Sequence, residues 1–549
     1  MKNGLIVLLF FAACSPKNQG PNKFANDEKL VNIYELQDRR DTKALLPLLK
    51  AKKEHHRIAA AMAFASIQDT LAIPYLNQML QIDQDPMPRR AAAYALGQIG
   101  SSKALGILTA AFDQELFPAN RPYVMEAIGK CGDSTTIALF EKVEYTDSAL
   151  QMGWAYGVFR LGLKGFSSES LNTRMIKFLD DDNKDLAILA SHYVYRGLRS
   201  SGNLELVDSL IRLARYDEVK DRFGLLSSEK VKVESFKWSE FNDLNDYQKI
   251  EIINSKTSWS WEESQQLKVM FRDTTLNIGV RSAVFTKIFS KSHPDSQESY
   301  VKYALNSRDM ALQSLAAIEL QKLSKNSDYW NNGQFYFISF FDIISLLQQV
   351  KSQLKLPQQA ETYIDVCKAI EALGGEKFEG YQPEYNHPID WEFVKTIPAN
   401  QQVVIETNKG DITLQLFVED APGTVANFLQ LVDSGFYNGK FFHRVVPQFV
   451  IQGGCPRGDG WGSLDWTQRS EFSNYQRYKA GTVGIASAGK DTEGVQFFIT
   501  HCSTPHLDGR YTIFARVIDG MNVVNKIEVG DKIESIKRAA TNIEISPDC

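Results

Sequence analysis

Two periodicities divide this chain. Across residues 27–374 apolar positions recur at helical spacing, and across 401–546 they alternate with polar ones. In the first region three segments superimpose at a period of 32: Ile67, Ile99 and Cys131 share one position. Thr70, Ser102 and Ser134 share another, each expected to cap a new helix. Thr42-Lys43-Ala44-Leu45 reads as an earlier copy, 28 residues upstream of Thr70. Helices are expected over 58–67, 91–99 and 123–131, where Ala93, Ala95 and Gly97 are small enough for stacked backbones to approach. Gly100 and Gly132 suit the left-handed residue that ends a helix. Weaker copies fall at 154–161, 186–198, 280–288 and 312–320, and Ser260 with Glu263 forms a capping-box pattern. The expected architecture over 27–374 is an α-solenoid.

A change of character follows over 375–400, read as a linker. Gly380, Pro383, Pro388 and Pro398 break helices, while Tyr385, Trp391 and Phe393 point to packing on a neighbouring domain. Beyond it, Ile412, Leu414 and Leu416 alternate with Thr413 and Gln415, and Asn408-Lys409-Gly410 signals a hairpin with the run 403–407. Pro422 opens a helix whose Val425, Phe428, Leu429 and Val432 share a face, closed by Gly435. Further strands are expected over 449–452, 482–486, 496–500 and 513–517. One early helix among many short strands predicts a closed antiparallel β-barrel with capping helices over 401–546. The chain as a whole is multidomain.

Length agrees, since 549 residues exceed what one core organises. A net charge of −5 exerts no general pull on nucleic acid or an anionic membrane, so no nucleic-acid partner is expected. The N-terminus stands apart. Lys2 precedes an apolar run over 5–11, too short to span a bilayer but of the length of a secretion signal's core. Its Ala12-Ala13-Cys14 ending resembles a bacterial lipoprotein signal, although Phe11 departs from the usual aliphatic residue. That resemblance implies a signal over 1–13, lipidation of Cys14, a tether over 14–26 and a place in the Gram-negative envelope. The periplasmic face of the outer membrane is expected, with membrane contact through the anchor alone. The alternative is an ordinary cleaved signal beside an incidental cysteine. Cys131, Cys367, Cys455, Cys502 and Cys549 form neither a disulfide framework nor a CxxC pattern.

The chemistry concentrates in four strings of the C-terminal region. The first is Phe441-Phe442-His443-Arg444-Val445-Val446-Pro447-Gln448-Phe449-Val450-Ile451-Gln452-Gly453-Gly454. Gly481-Thr482-Val483-Gly484-Ile485-Ala486-Ser487-Ala488-Gly489 and Gly494-Val495-Gln496-Phe497-Phe498-Ile499-Thr500 follow. Leu507-Asp508-Gly509-Arg510-Tyr511-Thr512-Ile513-Phe514 completes the order. Together they resemble the cyclophilin family of peptidyl-prolyl cis/trans isomerases, and the helical repeats resemble HEAT repeats.

The cyclophilin resemblance implies catalytic roles for Arg444 and Gln452. It implies an apolar cup of Phe449, Phe498 and Leu507 for the proline ring, with Gln496 lining the groove. Ala486 and Ser487, with Ala488 beside them, would meet the residue before proline. Val450 stands where many members carry methionine and is read as a modest change in pocket volume, whereas His506 and Tyr511, where many carry tryptophan and histidine, are read as tuning specificity. Phe442 and Phe497 are expected to be structural. Proline-containing polypeptide clients are the expected substrates, and a repeat surface suits a client or an envelope partner. A non-catalytic proline-binding module is the competing reading.

No cofactor is implied. Gly453, Gly454, Gly458, Gly460 and Gly462 lack the Lys-Ser/Thr and helix start of a phosphate loop. No metal site is expected, since His55-His56 has no carboxylate or cysteine at ligand spacing.

Overall fold

The repeat region is helical apart from a short antiparallel pair, Trp330–Asn331 with Gln334–Phe335, and its first copies follow the 32-residue spacing. Helix α1 spans Glu28–Asp38, α2 Glu54–Ile67, α3 Pro86–Ile99 and α4 Arg121–Cys131. Later helices used below are α5 (Ser148–Leu163), α6 (Lys184–Ser201), α7 (Trp261–Arg272), α8 (Ile278–Ser290), α9 (Met310–Leu323) and α10 (Ala360–Ala372). This computed structural model describes residues 20–539 except 146, 202–204, 229–240, 242, 257, 291, 293, 327–329, 332–333, 336–339 and 474. The expected signal, Cys14 and Cys549 lie outside the described residues.

Two local expectations need correction. Thr70, Ser102 and Ser134 do not cap α-helices; each begins a short 3-10 turn capped one residue earlier, by Asp69, Ser101 and Asp133. Those shorter turns need an acceptor two residues back, which only the preceding side chain supplies. Gly100 is left-handed at φ 65°, but Gly132 sits at φ −66°. Gly132 is constrained by space instead, since a Cβ there would lie 2.7 Å from Thr136 Oγ1. Ser260 and Glu263 form the capping box of α7 as read.

The closest approach of the repeats is between α4 and α5. A Cβ on Gly129 would lie 2.2 Å from the carbonyl oxygen of Gly157, and one on Gly157 would lie 2.4 Å from the Phe140 ring. Helix propensity favours alanine over glycine by about 1 kcal/mol, but overpacking costs ~1–3 kcal/mol and a backbone neighbour cannot swing away. Gly129→Ala is therefore expected to lower stability by about 2 kcal/mol in urea unfolding. Gly197→Ala, in α6 with no atom within 4 Å of its Cβ, is expected to be neutral or stabilising.

The C-terminal region begins with helix α11 (Trp391–Thr396) and contains α12 (Pro422–Asp433). Its strands are β1 (Gln402–Thr407), β2 (Gly410–Leu416), β3 (Phe442–Val446), β4 (Val450–Gly453), β5 (Thr482–Ile485), β6 (Phe497–Thr500), β7 (Ile513–Asp519) and β8 (Ile533–Arg538). They form one antiparallel sheet in the order β8-β1-β2-β7-β5-β6-β4-β3. The edges meet at one corner, where Ile533 N–H donates to Lys440 O at 2.7 Å and Phe442 N–H to Asp531 O at 2.9 Å. Closing the edges removes unpaired strand groups, so the sheet curls into a barrel. Val403, Ile405, Ile412 and Leu414 fill it together with Phe442 and Phe497, all fully buried, and the apolar face of α12 covers it.

The two regions are not beads on a string. One contiguous apolar core joins residues 24–223 to the barrel, whereas 241–373 form a separate core. Buried polar groups bridge the first boundary: Arg160 donates to Glu126 at 3.0 Å and to Pro505 O at 2.7 Å. Arg477 of the barrel donates to Glu126 at 2.5 Å and to Asp508 at 3.3 Å.

Neither the end of the expected tether nor the linker is free. Asn22 donates to Val394 O and Ile397 O, both at 2.7 Å, and Phe24 is buried against Tyr34 and Trp391. Within 375–400, Tyr385 donates to Asp38 at 2.8 Å and His387 stacks on Trp466 at 4.0 Å.

Folding also gives His55-His56 the carboxylate that sequence spacing lacked. Both imidazoles donate from Nε2 to Oδ2 of Asp27, at 2.9 and 2.8 Å, and Asp27 also caps α1. Burial opposes its charge, but those hydrogen bonds hold the Asp27 carboxyl well below its usual range.

Candidate active site

Strands β3 and β4 pair so that Arg444 faces Gln452, and β4 pairs with β6 so that Gln452 faces Phe498. The register shifts between Phe442 and Arg444. Plain alternation would put both side chains on one face. The bulge instead leaves Phe442 in the core and turns Arg444 outward.

Arg444 opens onto a groove of about 560 Å³. Its Nη1 donates to Gln452 Oε1 at 3.3 Å, Gln452 Nε2 donates to Gln496 Oε1 at 3.0 Å, and Gln496 Nε2 donates to Gly460 O at 2.7 Å. This relay fixes both amide orientations and holds Arg444 at the groove. Among the described residues Arg444 has no ion-pair partner. Burial lowers its pKa, with Tyr511 acting the other way, so the surroundings stabilise the cation little and leave it available to a ligand.

The groove floor is apolar. Phe449, Val450, Phe498, Leu507 and Tyr511 line it, and the guanidinium carbon of Arg444 lies 5.6 Å from the Phe449 ring centre. Tyr478 stacks beneath Phe498 at 5.6 Å, and Tyr511 meets the Phe498 edge at 5.7 Å. Gly484 keeps room for that stack, since a Cβ there would lie 2.2 Å from the Tyr478 hydroxyl. Ala486, Ser487, Ala488 and Gln496 form the adjoining wall.

The structure thus brings Arg444, Gln452, Phe449, Val450, Ala486, Ser487, Ala488, Gln496, Phe498, Leu507 and Tyr511 to one groove. His506 is the exception. It does not line the groove but stacks behind Phe449 at 5.3 Å, close to His192 of α6. Burial, reinforced by the cations of Arg196, Arg222 and Arg510, pushes its pKa down to about 3, so it is a neutral packing group. His443 lines the groove, and burial lowers its pKa to about 4.

The profile of the cyclophilin type peptidyl-prolyl cis-trans isomerase/CLD family matches residues 402–546, and that of HEAT repeats matches 42–121. A peptidyl-prolyl cis-trans isomerase of Helicobacter pylori (strain ATCC 700392 / 26695) is 47% identical over 148 residues, 26% of this chain and 88% of that protein. This chain belongs to the cyclophilin-type peptidyl-prolyl isomerases. A relative from Synechococcus elongatus is 48% identical over 138 residues, 25% of this chain and 94% of its own length. Peptidyl-prolyl cis-trans isomerase B of Bacillus subtilis (strain 168) is 46% identical over 127 residues, 23% of this chain and 89% of its own.

Several parts of this cyclophilin's groove escaped the sequence reading. Tyr478 and Gly484 belong to the second motif's neighbourhood, but only the folded stack shows their use. The glycine-rich stretch over 453–462 supplies the carbonyls of Gly460 and Gly462 that orient Gln496. Least expected are Pro357, Gln358, Ala360 and Glu361, which reach the groove from the repeat region. Nothing in their local pattern signals it, because the contact is tertiary.

Proposed function

We propose that Arg444 is the catalytic cation of this isomerase and that the chain works on polypeptide clients in a Gram-negative cell envelope. Rotation about an X-Pro bond is slow because resonance gives the C–N bond double-bond character, with a barrier of ~18–20 kcal/mol. Catalysis requires the twisted amide to be held more tightly than either planar form. On twisting, the prolyl nitrogen regains its lone pair and becomes a hydrogen-bond acceptor. Arginine's rigid, permanently charged fork suits that acceptor. Phe449, Phe498 and Leu507 take the proline ring, Gln452 holds Arg444 and meets the client backbone, and the backbone of 486–488 runs beside the residue before proline.

One observation carries this reading: an arginine with no carboxylate partner among the described residues, oriented by a glutamine relay above an apolar hollow. The test is refolding of a client limited by a prolyl step. The chain is expected to remove the slow phase at catalytic concentration, and an unchanged slow phase would refute the reading.

The apolar run before Cys14 supports acyl anchoring at Cys14 on the periplasmic face of the outer membrane. Among the described residues no helix is long and apolar enough to cross a membrane. An acyl mass on Cys14, and release into the soluble fraction by Cys14→Ser, are expected. We assign client binding to the repeats as well, since residues 357–361 contribute to the catalytic groove.

A further inference from the structure

The first turn of α10 stands beside the catalytic groove. Gln358, just before it, donates to Ser463 O at 3.3 Å, and Pro357 and Glu361 line the same cavity as Arg444. Two further contacts seat this half of the repeats on the groove's rim. Arg457 pairs with Asp309 at 3.0 Å, and Tyr247 donates to Gly458 O at 3.0 Å. The loop around 459–463, which these contacts flank, also supplies the carbonyls that orient Gln496.

Glu361 is the odd group in this wall. It has no hydrogen bond or ion pair among the described residues, whereas Asp459 across the groove is held by Arg457 at 2.8 Å. Desolvation, with the Asp365 carboxylate one turn on, raises the pKa of the Glu361 carboxyl to about 7. Asp365 itself is engaged by Ser314. Glu361 is exposed on the groove wall, so its carboxylate is open to a cation carried by the client.

We propose that Glu361 forms a subsite for a lysine or arginine side chain preceding the X-Pro pair of the client. The substrate groove is therefore composite, walled by the barrel on one side and by the repeats on the other. The position follows from the strand geometry. Ala486 N–H donates to Gln496 O at 2.8 Å, so a client running along 486–488 away from the proline hollow passes Gln496 toward the 459–463 loop and α10. The inference deepens the isomerase reading and rests on it.

The test uses the full chain and peptides carrying Lys, Ala or Glu at each position before the X-Pro pair. An uncoupled solvent-jump assay avoids the preference of an auxiliary protease. At pH 8 the Lys peptide is expected to exceed the Glu peptide in kcat/KM by about fivefold at one position, within the range of partly exposed ion pairs. E361Q is expected to bring that ratio close to one and E361K to invert it. E371Q, with the same charge change at the far end of α10, is expected to preserve the ratio. Turnover of all peptides with no Lys preference, or a preference that survives E361Q, would overturn the subsite. Turnover of no peptide would instead sink the isomerase reading beneath it.

Discussion

Replacing Arg444 by alanine is expected to lower kcat/KM toward proline peptides by about ten- to a hundredfold, with peptide affinity changed far less. A hydrogen bond to a charged group contributes about 1.5–3 kcal/mol, and each ~1.36 kcal/mol is a factor of ten in rate. The loss falls on the chemical step, because the prolyl nitrogen accepts only when the amide is twisted. The fold should be indifferent: Arg444 leaves the core at the bulge, and among the described residues its one side-chain hydrogen bond is to Gln452. Arg444→Lys keeps the charge but loses the fork, so it should fall between the two. A protease-coupled assay reads all three proteins, and full activity in Arg444→Ala would rule out this role.

Glu126→Gln is expected to cost about 3–5 kcal/mol of stability, the usual consequence of removing one partner from a buried ion network. Desolvation opposes ionisation of Glu126, but Arg477, Lys130 and Arg160 outweigh it and hold its carboxyl well below the usual range. Its folded pKa is depressed, so the contribution is present above the ordinary carboxylate range and lost only as pH falls far below it. Without that charge, two arginines and a lysine face one remaining carboxylate, Asp508. Asp508 also accepts from Tyr478 N–H at 2.8 Å, under the stack that supports Phe498, so the damage should reach the groove. Urea unfolding measures the loss. Adding Arg477→Gln removes one stranded cation and should restore part of it, a coupling that independent sites would not show. Equal stability of Glu126→Gln and the parent protein would mean that the repeats and barrel are not joined through this network.

What the sequence revealed and what it concealed have a common physical basis. Strands β1 and β2 were legible because each buries one face, so Ile405, Ile412 and Leu414 alternate cleanly. Strand β3 was not, since its bulge breaks the alternation just where Arg444 must leave the core. Strand β8, Ile-Glu-Ser-Ile-Lys-Arg, has a register shift of its own against β1. The repeat helices followed the 32-residue spacing, while their caps were read one residue late.

The site motifs were legible as strings, because the groove's floor and relay come from neighbouring strands. His506, just before the fourth string, faces the repeats instead of the groove. What no local pattern could show was tertiary: Asp27 reaching His55 and His56, the core shared between repeats and barrel, and Glu361 arriving at the groove.

Exchange NMR on a proline peptide at equilibrium tests the central claim most directly. Uncatalysed X-Pro exchange takes tens to hundreds of seconds. With the parent chain, cis and trans signals should exchange within the mixing time. With Arg444→Ala they should exchange far more slowly, even though peptide shifts still report binding. Equally fast exchange with both proteins, or none with the parent, would contradict a guanidinium acting on the prolyl nitrogen.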